Sequence, residues 1–191
     1  MQRNAMPAAG WLAVVVFSCL ALAQPQKPSE PPTVATVLNR QLSDLEREFV
    51  PAAEAMPEDK FGFAPTNGEF KGVRNFGQQI KHVAASNYQF AAAILKEAPP
   101  AAAQGEEGPE AMKSKADIIK FLKDSFQYTH KAFAIVNEKN ATAPIKNPFG
   151  SGSVTSLDLS TEAIGHCFNH YGQMVEYLRM NGIIPPASRG Q

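Results

Sequence analysis

Apolar positions recur at steps of three and four along four separate stretches of the chain. In the first, from about Thr33 to Ala55, Val34, Val37, Leu38, Leu42, Leu45 and Phe49 build one stripe on a helix. A second, from about Val73 to Lys96, carries Phe76, Ile80, Val83, Phe90, Ile94 and Leu95 on its buried side. A third, from about Lys113 to Asn140, carries Ile118, Phe121, Leu122, Phe126, Phe133 and Val136. The fourth begins near Leu159, where Ser160 or Asp158 can cap it, because a short side-chain oxygen accepts a free first-turn N–H. It ends at Asn181-Gly182, and Pro185-Pro186 forbids continuation.

Breakers separate these stretches. Pro57, Pro65 and Asn67-Gly68 interrupt Met56 to Phe70. Pro99-Pro100 precedes a low-complexity loop from Ala101 to Glu110, and Pro144, Pro148, Gly150 and Gly152 mark a later loop. No stretch sustains period-two alternation, and Val154 to Leu157 is too short to weigh as a strand. Four amphipathic helices cannot bury their stripes alone, so the pattern predicts an all-α protein, a four-helix bundle over residues 33–187 with a short tail at 188–191.

The N-terminal region has a different character. Arg3 supplies a positive charge, Trp11 to Ala23 is an apolar run of 13 residues, and Ala21-Leu22-Ala23 is a small-x-small cleavage site. A permanent membrane helix needs about 20 residues. Residues 1–23 therefore read as a signal peptide and residues 24–32, rich in Pro and Gln, as a disordered tether. An uncleaved anchor is one alternative. Acylation at Cys19 is another, but Phe17-Ser18 before it makes a poor lipidation site. The expected location is exported, periplasmic or extracellular, with no membrane attachment after cleavage.

Composition narrows the function. The leader holds Arg3 and no acid, so 18 basic residues become 17 in the mature chain against 18 acidic ones. Near-zero charge argues against a nucleic-acid footprint. With Cys19 removed, Cys167 has no partner for an internal disulfide, and a packed core must hold the fold.

Only four histidines are present: His82, His130, His166 and His170. The last two stand one turn apart on the fourth helix, about 40° around its axis, so both imidazoles can converge on one ion. With His166 at 0°, Met174 falls at about 80°, and Leu178, Tyr171, Ile164 and Val175 fill the arc to about 180°. The pair lies at the margin of the buried face. A third ligand must come from another helix, and His82 is the best-placed candidate. Its axial neighbours, among them Gln78, Gln79, Ala85 and Ser86, are small or polar, and amides can orient an imidazole. Three neutral nitrogens with an open fourth position suit a catalytic divalent metal. No glutamate follows the first histidine in His166-Cys167-Phe168-Asn169-His170, so the zinc-protease helix is not present. Cys167 lies about 100° from His166 and reads as a small buried residue. His130, in Tyr128-Thr129-His130-Lys131, reads as solvated or capping. Gln173, Asn169 and Tyr177 are candidates for orienting substrate or ligands, against the plainer roles of packing and solvation.

The stretch Met56-Pro57-Glu58-Asp59-Lys60-Phe61-Gly62-Phe63-Ala64-Pro65 resembles a loop of the DinB-like proteins, as do Gly72-Val73-Arg74-Asn75-Phe76, His82-Val83-Ala84 and Asn87-Tyr88. The fullest match is His166 to Gln173, continuing through Tyr177-Leu178-Arg179 to Gly182 and Pro185-Pro186. The resemblance spans about Thr33 to Ala187. It implies a four-helix bundle with a divalent metal, zinc or nickel, on three histidines that fall on His82, His166 and His170. It also implies a small-molecule substrate for those relatives that are enzymes, some of them transferases using low-molecular-weight thiols. Export counts against that thiol chemistry here. The expectation is a metal-dependent hydrolase or transferase. The alternative is a non-catalytic metal-binding or interaction bundle, with a homodimer left open.

Overall fold

In the computed structural model the described residues are 31–103 and 105–190. Residues 1–23, read from the sequence as a signal peptide, and nearly all of the expected tether at 24–32 lie outside them. Four helices dominate: α1 (Val34–Ala55), α2 (Phe76–Leu95), α3 (Lys115–Ala134) and α4 (Ser156–Met180). The chain belongs to the all-α class, as the periodicity predicts. Two three-residue strands, β1 (Pro144–Lys146) and β2 (Ser153–Thr155), pair antiparallel with Ile145 opposite Val154. Strands this short lie below what alternation can reveal.

Helix boundaries follow from local hydrogen bonds. Asn75 starts α2 with a capping box: its Oδ1 accepts from Gln78 N–H, and Gln78 Oε1 accepts from Asn75 N–H, both at 2.9 Å. Thr155, not Ser160 or Asp158, caps α4, which begins three residues before Leu159. Asp158 is the third helical residue and completes the box by accepting from Thr155 N–H at 3.0 Å. Those bonds from Thr155 hold its carboxyl below the usual aspartate range. Ser160 is buried and donates back to Ser156 O at 2.7 Å. Gly182, at φ +72°, lets the chain turn where α4 stops.

α3 ends at Ala134 rather than near Asn140. The amides of Asn137 and Asn140 both donate to Ile135 O, at 3.1 and 2.8 Å, and fold the chain into a turn. Such side chains compete with the helix for backbone groups. Val136 is still buried, so its apolar character reports packing, not helix.

α2 and α1 each pack against both α3 and α4. The shared core includes Leu42, Leu45, Phe49, Ile80, Leu122, Phe126, Phe133, Leu159, Met174 and Leu178, all closed to solvent. Phe49 meets Phe126 edge-on at 6.0 Å. α2 does not have a single buried side: 16 of its 20 residues are buried, including Gln79, His82, Ser86 and Asn87. α3 and α4 cover Asn87 and Gln79, and the rest of the reason is a segment the periodicity treats as loop. Residues 105–109 lie along α2 as a strap and cover what would be its outer face.

Candidate metal centre

Three of the four histidines meet between α2 and α4. Their ligand-capable nitrogens all fall within 4.8 Å of one another, and ring centroids are 4.9 Å apart for His82–His166, 4.8 Å for His82–His170 and 4.5 Å for His166–His170. His82 and His170 are buried and His166 is half-buried. The i, i+4 pair on α4 and the single histidine on α2 therefore converge.

Two of the rings are oriented from behind. His82 Nδ1 lies 2.6 Å from Glu106 O, so it carries the proton and donates it. His170 Nδ1 lies 2.5 Å from Gln79 Oε1, and Gln79 Nε2 donates to Gln173 Oε1 at 2.9 Å. Gln79 is thus fixed as an acceptor toward His170. Each arrangement leaves Nε2 as a lone pair, the state a metal ligand needs.

His166 is the informative member. Its Nε2 is 3.0 Å from His82 Nε2, and its Nδ1 is buried with no hydrogen-bond partner. If Nε2 carries the proton, it donates to His82 and the Nδ1 lone pair is stranded. If Nδ1 carries it, that N–H is stranded and two lone pairs face each other. A cation between the Nε2 atoms removes the second problem. The 3.0 Å gap is also close to the roughly 3.3 Å between two nitrogens on one tetrahedral zinc. The donor set fits a divalent metal ion.

Electrostatics agree. Burial lowers all three imidazole pKa values, His166 to about 4 and His170 to about 3; neighbouring imidazoles add to the effect at His166 and His170, and Arg74 adds to it at all three. The histidines are neutral at pH 7 and free to coordinate.

The strap supplies part of this order. Gln89 Nε2 donates to Gly105 O at 2.7 Å, Glu106 O receives His82, and Lys81 Nζ donates to Pro109 O at 2.9 Å. Arg74 grips the Glu107 carboxylate through Nε and Nη2. Gly108, at φ +66°, passes so close that a Cβ there would sit 3.0 Å from Lys81 O. The low-complexity reading of Ala101 to Glu110 misses this role, because the holding atoms are backbone carbonyls and periodicity does not register them.

The other candidates separate cleanly. Cys167 is buried on another face, where Sγ donates to Asn87 Oδ1 at 3.2 Å, and burial pushes its pKa up to about 12. His130 is part-exposed and lies outside the cluster, and it caps no helix end. Nδ1 meets Asn39 Oδ1 at 2.6 Å and Nε2 meets Glu46 Oε2 at 3.1 Å, tying α3 to α1. Of the three possible orienting residues, Gln173 steadies Gln79, Tyr177 O–H donates to Arg74 O at 3.2 Å, and Asn169 is exposed.

Comparison with known proteins agrees with this fold. The profile of the DinB superfamily matches residues 41–174. A DinB-like protein from Bacillus cereus is 13% identical with a TM-score of 0.64, covering 81% of this chain and 96% of its own. One from Bacillus subtilis is 18% identical at TM-score 0.59, over 76% and 92%. A conserved protein from Enterococcus faecalis is 15% identical at 0.60, over 78% and 98%. No curated protein matches the sequence. The bundle with three clustered histidines defines a class, and the match settles which one. The chain belongs to the DinB superfamily.

Proposed function

We propose that this protein binds one divalent metal ion, zinc or nickel, through His82, His166 and His170, and acts as an exported hydrolase or group transferase on a small molecule. The observation that carries the metal reading is the trio of imidazole nitrogens within 4.8 Å, two of the rings oriented by Glu106 O and Gln79 and the third with its Nε2 3.0 Å from that of His82. Three protein ligands leave a fourth position for water or substrate, and a divalent ion there supplies Lewis acidity. His82 and His170 keep their protons on Nδ1 and present Nε2. The Phe90 ring packs against the His166 imidazole, with centroids 6.0 Å apart.

Export rests on the leader read from residues 1–23. No helix among the described residues is long and apolar enough to cross a membrane. Outside the cytosol low-molecular-weight thiols are scarce, which favours water over thiol as the nucleophile. The net charge offers no attraction to nucleic acid.

Metal analysis of the purified protein beside His82→Ala and His166→Ala variants tests the site. About one equivalent is expected in the parent and almost none in either variant. Full occupancy in both variants would overturn the assignment. A metal with no exchangeable water would leave a binding module in place of an enzyme. Recovery of an intact leader in the membrane fraction would overturn export and release.

A further inference from the structure

A cavity of about 770 Å³ lies beside the C-terminal half of α2. Gln89 is one of its walls and stands seven residues beyond His82, two turns and roughly 10 Å along the same helix face. Ala92, Ala93 and Ile145 give the cavity apolar surface, and the exposed side chains of Lys96 and Lys146 border it from two different elements. A volume of this size suits a small organic molecule.

The charges around it are unbalanced. Glu97 also borders the cavity, but its carboxylate accepts from Tyr128 O–H and lies 3.8 Å from Lys131 Nζ. Among the described residues neither Lys96 nor Lys146 has a carboxylate partner. Two lysines without a carboxylate partner thus border one hollow, beside Glu97.

Lys96 adds a second, independent observation. It ends α2 at φ 59° and ψ 38°, and it is the one non-glycine residue at positive φ among those described. Glycine takes this helix-end position without strain, whereas a Cβ crowds the neighbouring carbonyl. This conformation closes the end of α2 on the Ala92 and Ala93 carbonyls and places Lys96 at the cavity border.

We propose that this cavity is a binding site for a small amphipathic organic anion. Its apolar body lies against Ala92, Ala93 and Ile145, and its carboxylate or equivalent group is held between Lys96 and Lys146. The site does not use the histidines. It is linked to them through the strap, since Gln89 bonds Gly105 O and the next carbonyl, of Glu106, accepts from His82. An occupant therefore rests against the strap that orients one metal ligand.

Calorimetric titration with octanoate and with octan-1-ol, on the purified protein with and without added zinc, tests the proposal. Octanoate is expected to bind at one site with or without zinc. The double variant Lys96→Gln/Lys146→Gln is expected to weaken octanoate by about five-fold or more and to leave octan-1-ol unchanged. Ala93→Phe, checked for folding by circular dichroism, fills the hollow and removes binding of both. Absence of saturable octanoate binding to the parent overturns the proposal. So does equal octanoate binding by the double variant, or unaltered binding by a folded Ala93→Phe protein. None of these readouts depends on whether His82, His166 and His170 hold a metal.

Discussion

His130 and His170 differ in one decisive respect. Both stand on helices and both bond a side-chain amide, at 2.6 Å to Asn39 and 2.5 Å to Gln79. His130 then spends its second nitrogen on Glu46. His170 turns its second nitrogen toward two other imidazoles with no carboxylate in contact. A histidine with both nitrogens engaged by the protein is a tie between helices. One with a single engaged nitrogen, aimed at like neighbours, is built to receive something else.

The largest expected effect breaks the comparison at the metal. His170→Ala should take zinc stoichiometry from about one to about zero, whereas His130→Ala should leave it at one, measured by atomic emission on dialysed protein. Equal loss in both would mean that zinc reports folding, not coordination.

A smaller effect sharpens the role of Gln79. Gln79→Leu keeps the bulk but removes the acceptor behind His170, and metal affinity should fall by about 10–100-fold. Gln79→Glu restores an acceptor and should recover most of the loss. A competition titration against a chromophoric chelator, with the cobalt absorption spectrum as a check on geometry, distinguishes this from a general loss of stability. If both variants lose equally, Gln79 is packing alone.

Next comes the tie itself. His130→Ala should lower stability by about 1–2 kcal/mol in urea denaturation, since it removes bonds to Asn39 and Glu46. An unchanged midpoint would remove His130 from the structural account.

A last effect concerns pH. In metal-stripped protein the folded pKa values of His166 and His170, about 4 and about 3, lie below the ordinary 6.5. The unfolded chain therefore takes up protons first as pH falls below 6.5, and stability drops from there toward pH 4. His166→Asn/His170→Asn should flatten that part of the stability–pH curve. An equally steep curve would place the acid sensitivity in the carboxylates.

The bundle was legible because its signals are local and repeated. Leu38, Leu42, Leu45 and Phe49 mark a buried stripe wherever the helix sits. His166 and His170 were legible for the same reason, as four residues of helix fix their relative positions. Other features were not. Thr155 caps α4 because Asp158 reaches back to it, and the serine and aspartate nearby compete for the same role in sequence. Asn137 and Asn140 end α3 early by side-chain bonds that a run of apolar positions does not announce. His130 reads as polar surface until Asn39 and Glu46, on another helix, close around it.

The sequence by itself determined four helices, an i, i+4 histidine pair and a third histidine at a small and polar stretch of α2, because periodicity of 3.6 and the one-turn spacing are properties of single helices. The tertiary structure alone decided which nitrogen of each ring is presented. That choice depends on Glu106 O, Gln79 and Gln173, which come from a strap and two helices and meet only when the chain has folded. It also decided that α2 is buried nearly all round, because a segment with no apolar period can still cover a helix when its backbone carbonyls find donors.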